Sequence, residues 1–449
     1  MSGKDERICI VGGGPAGLSA AMYLEQKGYT NYVIYEKDDH VGGKCHSPHL
    51  DGKRYEMGAI MGVPSYYAVH DIEKFTGVTH DGPQLNRNYK SIKGKVINPF
   101  DPKKFWHLPH LLKMKKQVKR LGELLETKYK GYDVNGHRGV ADGKYEGDDT
   151  SPARKYISGT NPNLKDLCLP FSEFCKLNHV ELAQEVWIGP FTSFGYGFFD
   201  EIPAAYVLKY LDFQTTMNFV KCNLWTWKDG TQSIYEALDS KLKHQAVLNA
   251  DITKVVRSAK DVKVTVNGKE EVFDKIIVTA PLQYMPTYFD VSKEEKDLFS
   301  KIDFERYDVL SCQLKTYPEI SYYIMGNMVK SRLGHVMVYY RRWKDEPKQA
   351  ITTYALRKHK DTKEIPYEEC KKMVIDDMTI MGNPVDKVLK EKSWYYFPHV
   401  FSEDYANGWY DKVEGMQGKN NTYYAGEIMS YGDMDETCEY SRELVERFF

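Results

Sequence analysis

No stretch of this sequence approaches the ~20 consecutive apolar residues that a membrane-spanning helix needs. An excess of charge of one sign is also missing. With 62 Lys and Arg against 63 Asp and Glu, the formal net charge is −1, which gives no basis for general polyanion binding, so no nucleic-acid partner is expected. The eight cysteines, Cys9, Cys45, Cys168, Cys175, Cys222, Cys312, Cys370 and Cys438, form no C-x-x-C pair and are not interleaved with histidines. That argues against a disulfide framework and against a zinc site, and no metal is expected. The first residues are few and charged and lead straight into an apolar strand, leaving no room for a signal peptide, so a cytoplasmic location is expected. Neither internal repeats nor low-complexity arrays are visible.

What is present begins with Arg7-Ile8-Cys9-Ile10-Val11, which runs into Gly12-Gly13-Gly14-Pro15-Ala16-Gly17 and then Leu18-Ser19-Ala20-Ala21-Met22-Tyr23-Leu24. This reads as strand, tight turn and helix. Gly12 permits the turn, Gly14 lets the backbone approach a pyrophosphate, and Gly17 lets the helix pack on the strand, while the amides and dipole of the helix N-terminus favour negative charge. A second strand, Tyr32-Val33-Ile34-Tyr35, ends in Glu36, nineteen residues after Gly17. That spacing suits a carboxylate accepting hydrogen bonds from a ribose diol, with Lys37 beside it. A dinucleotide cofactor is therefore expected. Gly42-Gly43-Lys44 follows, a glycine pair and a basic residue of the kind found in flavoproteins of the glutathione-reductase type. The glycines let the chain pass close to the cofactor, and Lys44 can supply positive charge to phosphate. Downstream, Asn421-Thr422-Tyr423-Tyr424-Ala425-Gly426-Glu427 resembles the closing FAD motif of amine-oxidase-like flavoproteins, and the three pieces agree on FAD. No second G-x-G-x-x-G occurs, so no nicotinamide domain is evident.

The remaining signals divide the chain. A discontinuous FAD-binding domain is expected over residues 1–66, 222–290 and 391–449. A mainly helical cap is expected over 67–221, with a polar excursion or mobile loop at 133–163, and a second part of the substrate domain over 291–390. The fold class expected is α/β: a Rossmann-like FAD domain, an α+β substrate domain and a helical cap. Within 222–290, Asp251–Val256 and Val262–Val266 alternate, Asn267-Gly268 supplies a hairpin turn, and Glu271–Pro281 ends as a buried strand, with Ile252 near the adenine side. Lys103–Lys116 is basic and amphipathic; it reads as the solvated face of a packed helix, with contact to an anionic membrane surface as the alternative. Aromatic residues make up 13% of the chain, with 34 tyrosines. From Trp187 to Phe199 they alternate with glycines, which points to a lined cavity or to an aromatic core cluster.

Taken together, DHVGGKCHSP (39–48), RYEMGAIMGVPSY (54–66), RLGHVMVYY (332–340), WYYFPHV (394–400) and YAGEIMS (424–430) resemble the FAD-dependent polyunsaturated fatty acid isomerases of propionibacteria, within the amine-oxidase-like flavoproteins. The likeness runs almost end to end and departs near residues 138–163. It implies that a methylene between two cis double bonds of a linoleic acid-like substrate gives hydride to flavin N5 and regains it at a neighbouring carbon, leaving a conjugated diene. It also implies that Gly58, Ala59 and Ile60 lie beside the flavin and that the helix starting near Glu436 and Thr437 directs its dipole to the ring. Arg87 is implied as the substrate-carboxylate ligand, with Phe219, Phe194 and Tyr196 along the channel. No protein acid or base is required. An amine oxidase or an unsaturated-chain desaturase of the same fold is the alternative.

Overall fold

A computed structural model describes residues 3–100, 107–129, 164–360 and 362–449. The expected excursion at 133–163 and the start of the basic stretch, residues 103–106, lie outside them. Two sheets organise the rest. The first is parallel and four-stranded, in the order Thr422–Tyr424, Lys275–Val278, Ile8–Val11, Tyr32–Tyr35. Strands buried on both faces must be apolar throughout; all four residues of Ile8–Val11 are buried, and so are Ile276–Val278. The helix Pro15–Gln26 follows the glycine turn and buries its small-residue face. Edge pairing continues past Tyr35, where the Glu36 amide donates to Val247 O at 2.9 Å and the Ala250 amide donates to Glu36 O at 2.8 Å.

Glu271–Pro281 does not form one strand. Lys269–Phe273 closes an antiparallel three-stranded unit with Ile252–Arg257 and Val262–Val266, and Lys275–Val278 enters the parallel sheet. The break falls at Asp274, whose carboxylate accepts from the Arg7 amide at 2.7 Å. The alternation of an edge hairpin and the continuous apolar run of a central strand are two patterns laid end to end.

The second sheet has seven strands, in the order Val385–His399, Asp303–Leu314, Ile351–Lys358, Val338–Tyr340, Ser321–Tyr323, Arg87–Lys90, Val96–Ile97. Two expected boundaries shift in consequence. Residue 391 falls inside the strand Val385–His399, and the stretch expected to be helical supplies two strands, Arg87–Lys90 and Val96–Ile97. One face of this sheet is closed by the helix Tyr367–Ile380 through Cys370, Val374 and Met378. Since residues two apart share a face, the other face carries Tyr307, Tyr323, Tyr340, Tyr354, Trp394 and Tyr396.

Buried polar contacts join the two sheets. Arg342 pairs with Glu56 at 3.0 Å, both side chains 4% exposed, and Glu56 also accepts from the Thr231 amide at 3.1 Å. Tyr354 OH donates to Glu56 O at 2.9 Å, and Trp394 Nε1 donates to Met57 O at 2.7 Å. These contacts press the cofactor segment around residues 44–60 against the tyrosine face.

Candidate active site

The glycine turn supports a dinucleotide on a test that needs no ligand. A Cβ on Gly17 would collide with Gly12 O, and one on Gly12, at φ +110°, would stand 2.5 Å from Thr279 Oγ1. Both glycines are demanded by the protein itself. Gly14 is different: its φ of −85° suits any residue, and an added Cβ would meet nothing nearer than Gly43 Cα at 3.7 Å. The chain leaves room there that it does not use, next to a helix N-terminus with Pro15 in its first turn, Ala16 buried and no side-chain cap. A pyrophosphate fits that room and that polarity. Glu36, 7% exposed, accepts from the amides of Gly13 at 2.7 Å and Asp38 at 2.8 Å, which fixes its carboxylate at the mouth of the turn. Lys37 is exposed, and half-buried Ile252 opens the strand beginning two residues after Ala250.

Gly43, at φ +54°, brings its backbone against Gly14. Lys44 follows in the same turn. Its ammonium pairs with Glu427, the carboxylate of the closing motif, and lies 5.1 Å from the centre of the Tyr396 ring. Gly426, at φ +88°, permits the turn into the short helix that Glu427 opens. Alongside runs the segment of Gly58, Ala59 and Ile60: the Ala59 amide donates to Lys44 O at 2.9 Å, and a side chain at Gly58 would strike that same carbonyl. Residues far apart in sequence thus form one cradle.

The C-terminal helix, Met434–Phe448, is not a simple dipole source. Asp433 caps it, accepting from the Glu436 amide at 2.7 Å, and Asp435 and Glu436 occupy its first turn. Carboxylates already satisfy the positive end. Burial pushes the Asp433 carboxyl up to about 6 and lifts Glu436 as well, although Lys209 lies 3.0 Å from Glu436. Thr437 Oγ1 lies 3.0 Å from Ser430 Oγ.

Arg87, Phe219 and Phe194 are brought together. Arg87 donates to Phe219 O and stands 5.4 Å from the centre of the Tyr323 ring; Phe194 lies 5.8 Å from Phe219 and 6.5 Å from Tyr323. From Arg87 the tyrosine face forms a continuous row. Tyr323 and Tyr340 share a hydroxyl contact of 2.5 Å, Tyr340 lies 5.7 Å from Tyr354, Tyr354 5.5 Å from Tyr307, and Tyr307 5.5 Å from Tyr396. The last ring is the one beside Lys44.

Tyr196 belongs to the aromatic core. It is 2% exposed, stacks on Tyr210 at 4.3 Å and donates to Gly432 O at 2.9 Å. Gly195, between the rings, does not hold space open, whereas a Cβ on Gly189 would meet nothing within 4 Å. A Cβ on Gly195, at φ +91°, would stand 2.8 Å from Tyr307 and 2.9 Å from Tyr396, so the missing side chain lets the rings close up. Sequence reasoning missed the five sheet tyrosines of the row; the tyrosine count and the strand alternation were the available signals.

The chain is similar to several known proteins. A solved structure described as a CLA-producing fatty acid isomerase from P. acnes shares 50% identity, covers 99% of each chain and superposes with a TM-score of 0.90. A putrescine oxidase structure at 14% identity has a TM-score of 0.67, covering 98% of this chain and 97% of its own, a likeness of fold. A polyenoic fatty acid isomerase from Ptilota filicina is 26% identical over 271 residues, 57% of this chain and 51% of the relative. An uncharacterized protein of Acanthamoeba polyphaga mimivirus is matched over 63% of its length, so the matches span about half to three fifths of these curated relatives. The family described as flavin containing amine oxidoreductase matches residues 15–436, nearly the whole chain, and the chain belongs to that family.

Proposed function

We propose that this protein is an FAD-dependent isomerase that shifts a double bond of a polyunsaturated fatty acid, of the linoleic acid kind, to give a conjugated diene. The single observation that carries the reading is the tyrosine row, with Arg87 at one end and the Lys44–Glu427 pair of the cofactor cradle at the other. FAD, when bound, supplies a two-electron acceptor that can give the electrons back. In this reading the pyrophosphate lies against Gly14 in the turn that Gly12 and Gly17 shape, Glu36 takes the ribose and Ile252 the adenine side, while Gly43, Gly58, Ala59, Ile60 and Gly426 let backbone approach the ring system.

The chain's own side chains do the rest. The planar fork of Arg87 grips a carboxylate with two parallel hydrogen bonds, which fixes the depth of an acyl chain and hence which carbon reacts. Phe219 and Phe194 close over that head group. The aromatic faces stabilise positive charge spread over the reacting carbons and exclude water that would add to it. An amine substrate is disfavoured because the guanidinium at this end of the row repels it.

The test is anaerobic. Linoleic acid is added to the FAD-loaded protein, and ultraviolet absorbance of the diene is followed with the flavin band. Diene accumulating over many turnovers with the flavin largely oxidised supports the isomerase. Flavin bleaching once without diene supports a dehydrogenase of the same fold and overturns the reading.

A further inference from the structure

We propose that the first half of the helix Leu108–Glu126 is a docking face for an anionic lipid bilayer. The proposal goes beyond the isomerase reading, because it rests on the exposed face of one helix and would hold for any reaction at the site. At spacings of three and four residues, Leu108, Leu112, Lys115, Lys116 and Lys119 fall on one stripe of the helix. Leu108 is 45% exposed and Leu112 59% exposed, and the three lysines are exposed, Lys119 lying 3.3 Å from Glu123 one turn on and Lys115 and Lys116 carrying the stripe's net charge. From Leu108 to Lys119 the sequence contains no Asp or Glu.

The helix is moored unevenly. Its second half is held: Leu121 and Leu125 are buried, Arg120 Nε donates to Asn178 O at 3.0 Å, and a Cβ on Gly122 would stand 2.8 Å from the Phe213 ring. The first half is held at His110, whose Nε2 lies 2.9 Å from Glu185 Oε2, and by half-buried Leu111, while among the described residues Leu108 and Leu112 stay largely uncovered. Exposed leucines one turn apart, followed by lysines whose stems reach outward, are the composition of a helix lying in a membrane interface, apolar tips in the acyl boundary and ammonium groups among lipid phosphates. With the whole chain near neutrality, the basic stripe is a local feature, and it matches an anionic surface in sign. Phe213, on which the moored half rests, opens the helix Phe213–Val220, whose Phe219 carbonyl takes the Arg87 guanidinium. A bilayer engaged here lies one helix away from the carboxylate-binding end of the row.

The experiment is co-sedimentation of the FAD-loaded full chain with phosphatidylcholine vesicles, with and without phosphatidylserine, at low and at physiological salt. Retention on the phosphatidylserine vesicles alone, reduced by salt, is expected. The Leu112→Glu variant and the Lys115→Glu/Lys116→Glu variant should each weaken retention roughly tenfold. Circular dichroism, melting temperature and turnover of dissolved substrate should be unchanged. No retention on phosphatidylserine vesicles, equal retention on both vesicle types, or retention untouched by either variant overturns the proposal. So does a concentration-dependent dimer in sedimentation velocity that Leu112→Glu disperses, since the face would then belong to a second copy. Failure of vesicle binding leaves the diene assay unaffected, so the two readings fail separately.

Discussion

Arg87 makes a charge-assisted hydrogen bond to a backbone carbonyl while its planar group lies near the Tyr323 ring. A lysine would keep the charge and lose the fork. Charge-assisted hydrogen bonds contribute about 1.5–3 kcal/mol, so Arg87→Lys should raise KM for linoleate roughly tenfold to a hundredfold, with a smaller change in kcat. The methyl ester, which presents no carboxylate, should react equally well with both forms. Steady-state diene formation on acid and ester checks this, and an equal loss on both substrates would remove Arg87 from the head-group site. Glu36 is the matching case at the cofactor end. Its carboxylate accepts from two backbone amides, and a glutamine oxygen can keep only one of them, so Glu36→Gln should weaken FAD binding roughly tenfold, read by flavin fluorescence titration, and should also destabilise the apoprotein by about 1–3 kcal/mol.

The glycine turn and the aromatic–glycine loop separate two uses of the same residue. Gly14 has an ordinary φ and spare room, so Gly14→Ala should leave the melting temperature of the apoprotein unchanged and cut the flavin content of the purified protein. Gly195 has φ +91° and two rings against it, so Gly195→Ala should cost about 1–3 kcal/mol of stability with or without flavin. Melting curves of apo and loaded forms, set beside flavin content, distinguish the two outcomes. The same contrast explains what the sequence could convey. Strand, turn, helix and acid at the start of the chain were legible because every residue of that unit lies within about thirty positions of its partners, and the Asn267-Gly268 hairpin is more local still. The Lys44–Glu427 pair joins residues 383 positions apart, and no local pattern announces it. The tyrosine face lies between these cases. Alternation decides which residues share a side within one strand, but only the strand order brings Tyr323, Tyr340, Tyr354, Tyr307 and Tyr396 into one row.

Across the whole molecule, the cradle and the tyrosine face work as one site only while the two sheets stay pressed together, and the fold that holds them buries several titratable groups. His46 beside Trp394 and His399, 1% exposed at the end of the long strand, are both pushed down to about 4 by burial. A histidine whose folded value lies below its ordinary 6.5 contributes stability that is complete above pH 6.5 and is lost as pH falls from there toward 4. Buried acids act in the opposite sense. Asp433, pushed up to about 6, and Glu439, pushed up to about 7, prefer to fold neutral and gain stability over the same descent. The slope of melting temperature against pH therefore sums opposing contributions, and a difference between variants is needed to separate them. His399 Nδ1 lies 2.8 Å from Phe397 O, and phenylalanine fills much of the same space. His399→Phe should be less stable than the parent above pH 7, by about 1 kcal/mol for the lost hydrogen bond. By pH 5 the parent has lost about 2 kcal/mol through this histidine and the variant none of it, so the two melting curves should cross between those values. A deficit that stays constant from pH 7.5 to pH 5 would mean that His399 does not take up its proton on unfolding and that burial does not hold it neutral.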